Sequence, residues 1–136
     1  MAIQYHFNRD LKVLLVKGVG TVSLDDLLRY GKEVLNMDED FTGAVEYVDL
    51  SEATDIAVSY HSAQQMLNIY KGWAARGIKA SILYTPSDFS YGIARMIGAV
   101  LSSVAGNSPG GPLITRTPIQ PENLSSWLAG RNETGT

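Results

Sequence analysis

The spacing of apolar and polar residues divides the chain into alternating strands and helices, and the first feature is a β-hairpin. Apolar runs over residues 3–7 and 11–19 predict two strands, and the polar residues 8–10 between them predict the turn. Gly18 and Gly20 are expected to end the second strand, because glycine commonly marks the end of a regular element. The N-terminal segment is therefore expected to enter the sheet as an antiparallel pair.

Two amphipathic helices with clear end signals come next. Apolar residues recur every three or four positions over residues 24–35, with Ser23 as the N-cap and Asp26 as its capping-box partner. A second apolar stripe predicts a helix over residues 59–76 that Gly77 ends. The inward-facing residues of this second helix are expected to be Ala63, Met66, Leu67, Tyr70, Trp73 and Ala74.

The remaining pattern predicts the fold class. Residues 44–50 are almost entirely apolar, which is typical of a central strand, and a polar loop is expected from residue 51 to the second helix. Further predicted elements are a strand over 79–84, a helix over 90–104, an edge strand over 113–117 and a helix over 121–130. This order predicts one α/β domain over residues 1–130, with a mixed sheet (an N-terminal hairpin plus parallel strands) and about four helices. Residues 131–136 are expected to fray.

The composition argues against several classes of protein. The chain has 136 residues, a formal net charge of −3 and no cysteine, so disulfides and thiolate metal sites are excluded and a cytoplasmic location is expected. Lysine and arginine are scattered, so no nucleic-acid-binding surface is predicted. No signal-peptide pattern is present at the N-terminus, and the longest apolar stretch, residues 92–104, is too short to span a bilayer.

The helix predicted over residues 90–104 has an unusual outer face. One side of its helical wheel is bulky and apolar, whereas the other has small residues and a single charge, where a surface helix normally has several. Residues 94, 98 and 102 are spaced by four, which lets another backbone approach closely. We predict a contact surface here for a protein partner, a lipid or apolar small molecule, or the surface of a membrane. A homodimer formed through this face is a further prediction. The candidate binding residues are Phe89, Tyr91, Ala94, Arg95, Met96, Gly98 and Ser102. The alternative is that the C-terminal segment simply covers this face.

No catalytic residue, metal site or cofactor is predicted. His6 and His61 are the only histidines, and their spacing does not match a metal site. His61 stands next to Ser62, but adjacent helical residues point in different directions, and the chain has no nucleophile-elbow motif. We therefore expect a protein that is not an enzyme.

Four segments together resemble the SpoIIAA-like family, small bacterial proteins related to STAS domains and to the SEC14 lipid-carrier fold. They span most of residues 10–104, and their order and spacing carry the resemblance. The segments are Gly20-Thr21-Val22-Ser23-Leu24-Asp25-Asp26, Asp40-Phe41-Thr42-Gly43, Val48-Asp49-Leu50-Ser51-Glu52-Ala53 and Ser90-Tyr91-Gly92-Ile93-Ala94-Arg95-Met96. The resemblance implies a mixed sheet with helices packed on it and a role connected with an apolar ligand or a membrane, without enzymatic activity.

One departure from the STAS pattern affects the functional prediction. The anti-sigma-factor antagonists among STAS proteins have an Asp-Ser-Ser-Gly phosphorylation motif at the start of the helix after the central strand, and residues 57–62 lack it. Ser59, as the N-cap, is the first candidate for phosphorylation, and Ser62 and Ser51 are weaker ones. The preferred interpretation is a non-enzymatic binding module that acts through the helix at 90–104. The alternative is a phosphorylation-regulated protein-interaction switch of the anti-sigma-factor-antagonist type.

Overall fold

Strands and helices alternate along residues 2–56, 60–84 and 113–133, which are the residues that the structure, a computed structural model, describes. A short 3-10 turn at Pro121–Asn123 leads into the last helix. The elements are β1 Ile3–Asn8, β2 Val13–Val22, α1 Leu24–Leu35, β3 Val45–Ile56, α2 Tyr60–Ala75, β4 Ala80–Tyr84, β5 Leu113–Thr117 and α3 Leu124–Glu133. The helix predicted over residues 90–104 lies outside the described residues, and α3 continues three residues beyond Gly130.

The five strands form one mixed sheet in the order β1-β2-β3-β4-β5. β1 runs antiparallel to β2, as the predicted hairpin requires, and the other neighbours are parallel. The apolar strand β3 is central and β5 is an edge strand, so both positions predicted from the sequence are confirmed. The predicted α/β class with a mixed sheet is therefore confirmed as well.

Local signals set the ends of the first two helices. The Ser23 side chain accepts a hydrogen bond from the Asp26 backbone N–H, and the Asp26 carboxylate accepts one from the Ser23 N–H, which completes the predicted capping box. Gly77 has a φ of 104°, and a Cβ there would lie 2.5 Å from Thr42 Cα. Glycine is required at this position because both the backbone angle and the close approach exclude a side chain.

The prediction of a polar loop after Leu50 is wrong, because β3 continues to Ile56. Its second half pairs with the end of β2, where Val19 lies opposite Glu52 and Val22 opposite Ile56. Two register shifts interrupt this pairing, and Gly20, with a φ of 67°, lies at one of them. Gly18 and Gly20 therefore do not end β2, since a parallel neighbour pairs with the backbone on both sides of the irregularity.

Apolar side chains cover both faces of the sheet. α1 and α2 pack on one face, around a core that includes Val16, Val34 and Trp73. α3 packs on the other face, where Leu124 and Leu128 are buried against Tyr47. The two-sided cover explains why residues 44–50, which lead into and form the first half of the central strand, are mostly apolar.

Specific contacts join α1 to α2 on the first face. The indole Nε1 of the buried Trp73 donates to the Gly31 carbonyl at 3.0 Å. Arg76 donates to the carbonyl oxygens of Val34 and Leu35 at 3.1 and 2.9 Å, and so satisfies acceptors at the C-terminal end of α1. These contacts hold the two helices together above β3. No helix among the described residues is long and apolar enough to cross a membrane.

Candidate functional site

Glu46 is buried in the middle of the sheet. Side chains alternate along β3, so Glu46 faces α1 and α2 together with Val48 and Leu50, while Val45 and Tyr47 face the opposite side. Only 1% of the Glu46 surface is exposed. Glutamate is among the residues least often fully buried, so its position requires an explanation from its surroundings.

Two hydroxyl groups hold the Glu46 carboxylate. Ser81, directly opposite on β4, donates from its Oγ to Oε1 at 2.5 Å. Tyr30, from α1, donates from its hydroxyl to Oε2. Both partners are themselves buried, at 1% and 7% exposure. The three side chains therefore form a small polar cluster inside an apolar layer.

The electrostatic balance of this cluster is unusual, because no described cation compensates the carboxylate. The ion pairs of the described chain join Glu39, Asp40, Glu52 and Asp26 to their partners, and none includes Glu46. Burial raises the pKa of Glu46, and the hydrogen bonds from Ser81 and Tyr30 offset only part of that rise. Burial is also the main cause of the raised pKa of Tyr30.

An apolar cavity of about 60 Å³ adjoins the polar cluster. Glu46, Tyr30 and Ser81 contribute to its wall, together with Tyr70 from α2. The apolar part of the wall comes from β1, β2, β3, β4, α1 and α2: Ile3, Val16, Val22, Leu27, Val48, Leu50, Met66 and Leu83. An apolar pocket with a few converging polar groups is the usual form of a small-molecule site.

Aromatic packing fixes the position of Tyr30. Its ring lies 5.2 Å from that of Tyr5 and meets the Trp73 ring edge-on at 5.4 Å between centroids. Tyr70 meets Trp73 at 5.1 Å, also edge-on. Such edge-to-face pairs add to the stability gained by burial alone. The hydroxyl that holds Glu46 is therefore anchored by the α1–α2 interface.

The binding and phosphorylation residues predicted from the sequence are not among the residues described around Glu46. Ser59 and the proposed binding residues Phe89, Tyr91, Ala94, Arg95, Met96, Gly98 and Ser102 lie outside the described residues. Ser51 lies on β3, not in a loop, and its side chain is exposed. Ser62 lies in the first turn of α2. Ser51 is not part of the cluster around Glu46. Among the described residues, no group of three or more histidine, aspartate or glutamate side chains is arranged to hold a metal ion.

Sequence reasoning missed Glu46 and Tyr30, although a signal was present. Glu46 interrupts an otherwise apolar run between Val45 and Tyr47, and strand alternation places it on the same face as Ala44 and Val48. An acid at such a position is either a sign that one face is solvated or a sign of a buried polar cluster. Because α2 covers this face of the sheet, Glu46 belongs to a buried polar cluster and does not mark a solvated face.

Comparison with solved structures shows the fold class. The structure of the anti-sigma factor antagonist SpoIIAA in its unphosphorylated form matches with a TM-score of 0.56 and 14% identity, over 95% of this chain and 99% of that one. An uncharacterized DUF3478-family protein with a SpoIIAA-like fold from Shewanella loihica PV-4 matches with a TM-score of 0.55 and 14% identity, over 93% and 94% of the two chains. The chain therefore has the SpoIIAA-like fold, as the resemblance in its sequence implied. No protein-family model and no curated protein sequence matches it.

Proposed function

We propose that this protein is a non-enzymatic regulatory module that works by binding a protein partner. The observation that supports this proposal is the fold likeness to SpoIIAA, whose name describes it as an anti-sigma factor antagonist, over nearly the full length of both chains. Fold alone does not imply function, so the proposal depends on a direct test of partner binding.

Phosphorylation of a serine would provide the switch in this proposal. Ser51 is the least suited of the three candidates, because its N–H donates to the carboxylate of Asp49 at 2.9 Å and the exposed Glu52 follows it, so a phosphate there would be repelled. The first turn of α2 has no acidic residue. Ser62 belongs to that turn and Ser59 directly precedes Tyr60 in the sequence, so we expect the positive end of the helix to favour a phosphate on either residue.

Native mass spectrometry of the protein purified from its own host tests the proposal, followed by peptide mapping under denaturing conditions. We expect a complex with a second protein and a phosphate on Ser59 or Ser62 in part of the molecules. Ser51→Ala serves as the matched control, since it should leave the phosphorylated fraction unchanged while Ser59→Ala or Ser62→Ala lowers it. A protein that carries no phosphate and no protein partner would contradict the proposal.

Binding of an apolar small molecule is a second candidate function. The cavity beside Glu46 favours it, because an apolar pocket with converging hydroxyl and carboxyl groups is suited to a small ligand. The same native spectra test it, since a bound apolar compound would appear as extra mass that is lost on denaturation.

Two other predictions from the sequence are a lipid surface as the ligand and a homodimer formed through residues 94, 98 and 102. Vesicle sedimentation checks the first, and light scattering checks the second. The cytoplasm is the proposed location, with which a chain free of cysteine is compatible.

A further inference from the structure

The cavity beside Glu46 has the features of a binding site for a ligand of a particular charge. Glu46, Tyr30 and Ser81 are each more than nine-tenths buried, and all three residues line the cavity. The rest of the wall is apolar apart from Tyr70. The site is therefore built into the fold and is not a surface depression.

Hydrogen bonding leaves the Glu46 carboxylate with free acceptor positions. Each carboxylate oxygen can accept two hydrogen bonds. Ser81 supplies one donor to Oε1 and Tyr30 supplies one donor to Oε2. One acceptor position on each oxygen is thus unused by these partners. Tyr70 lines the same cavity, and no hydrogen bond among the described residues occupies its hydroxyl.

Charge complementarity indicates what would fill these positions. A buried carboxylate without a counter-charge is unfavourable, and no lysine, arginine or histidine of the described chain pairs with Glu46. A cationic donor would offset the carboxylate and use its free acceptor positions. Tyr30 and Tyr70 also line the cavity, and cations are attracted to the faces of tyrosine rings.

The size of the cavity limits the ligand. A water-sized group needs roughly 15 Å³ of such space, so a cavity of about 60 Å³ accommodates a ligand of about four non-hydrogen atoms. A short alkyl chain with one terminal amine meets this limit, because its chain would contact the apolar wall while the ammonium reaches Glu46.

We propose that the cavity is a binding site for a small primary alkylammonium ion, or for the aminoalkyl end of a larger ligand, with Glu46 as its counter-ion. This inference deepens the second proposed function and rests on it. Ser81 and Tyr30 act as positioning residues, because they hold the carboxylate and leave one acceptor position on each oxygen for the ligand. Binding of an ammonium ion would offset the cost of ionising this buried carboxyl.

Two probes of the same size, n-propylamine and n-propanol, test the inference at neutral pH. Binding is followed by NMR through the methyl groups of Met66 and Leu50, which line the cavity. We expect n-propylamine to bind about tenfold more tightly than n-propanol or better, which is the advantage of a charged hydrogen bond over a neutral one.

Substitutions of the same kind on one strand isolate the role of Glu46. Glu46→Gln should abolish the advantage of the amine, whereas Glu52→Gln, at an exposed position of β3, should keep it. Equal binding of the two probes to the wild type would overturn the inference and leave apolar-ligand binding in place. If neither probe binds, both the ammonium-ion inference and the proposal of apolar-ligand binding are refuted. If Glu46→Gln does not fold, the comparison of the two probes on the wild type decides alone.

Discussion

Replacing Glu46 by glutamine should change how the stability of the protein depends on pH. The substitution keeps the shape of the side chain and one carbonyl oxygen for the donors Ser81 and Tyr30. The new amide N–H₂ can donate to whichever hydroxyl rotates to accept it. Packing is therefore preserved, and the main change is that the group can no longer ionise.

The direction of the pH effect follows from the raised pKa of Glu46, whose ordinary value is 4.5. Below pH 4.5 the carboxyl is protonated in the folded and the unfolded chain, so its contribution to stability is fully present. As the pH rises above that value the unfolded chain releases a proton that the folded chain keeps, and the free energy of unfolding falls. Because one proton is involved, the free energy of unfolding falls by at most about 1.4 kcal/mol per pH unit, until the pH reaches the pKa of Glu46 in the folded chain.

Urea unfolding followed by tryptophan fluorescence measures this difference at successive pH values above 4.5. We expect the Glu46→Gln variant to gain stability relative to the wild type as the pH rises. The exposed Glu52, on the same strand, provides the matched control variant Glu52→Gln. A difference between Glu46→Gln and wild type that stays constant with pH would refute the reasoning, and so would the same trend in the control.

Three further predictions concern other parts of the structure. Ser23→Ala removes the acceptor for the Asp26 N–H and should lower the free energy of unfolding by about 1 kcal/mol, as measured by urea unfolding, while Ser23→Asp should retain most of it. Gly77→Ala should cost at least about 2 kcal/mol in the same assay, because its φ of 104° and the 2.5 Å approach to Thr42 exclude a Cβ; a neutral result would contradict the assigned backbone. Hydrogen bonds from Thr42, aided by Lys12, lower the pKa of Asp40 to about 2, so its contribution to stability is present above its ordinary value of 3.8 and is lost as the pH falls towards 2. An acid titration in which Asp40→Asn behaves like the wild type would disprove that contribution.

Residues that act locally made much of the fold predictable from the sequence. Ser23 and Asp26 are three positions apart and satisfy each other's backbone groups, so their effect does not depend on the rest of the chain. Gly77 ends α2 through its own backbone angle. The candidate site was not predicted, because Glu46, Tyr30 and Ser81 come from three separate elements and no pattern in the sequence links them.

The sequence by itself determined the order of the described strands and helices, the ends of α1 and α2, and the central position of β3, because periodicity, capping and glycine angles act over a few residues. The tertiary structure alone decided how far β2 and β3 extend, since a polar segment such as residues 51–56 becomes a strand only when a neighbour supplies hydrogen bonds. It also decided that Glu46 is buried. Burial depends on which helices cover a face of the sheet, and packing between distant elements sets that arrangement.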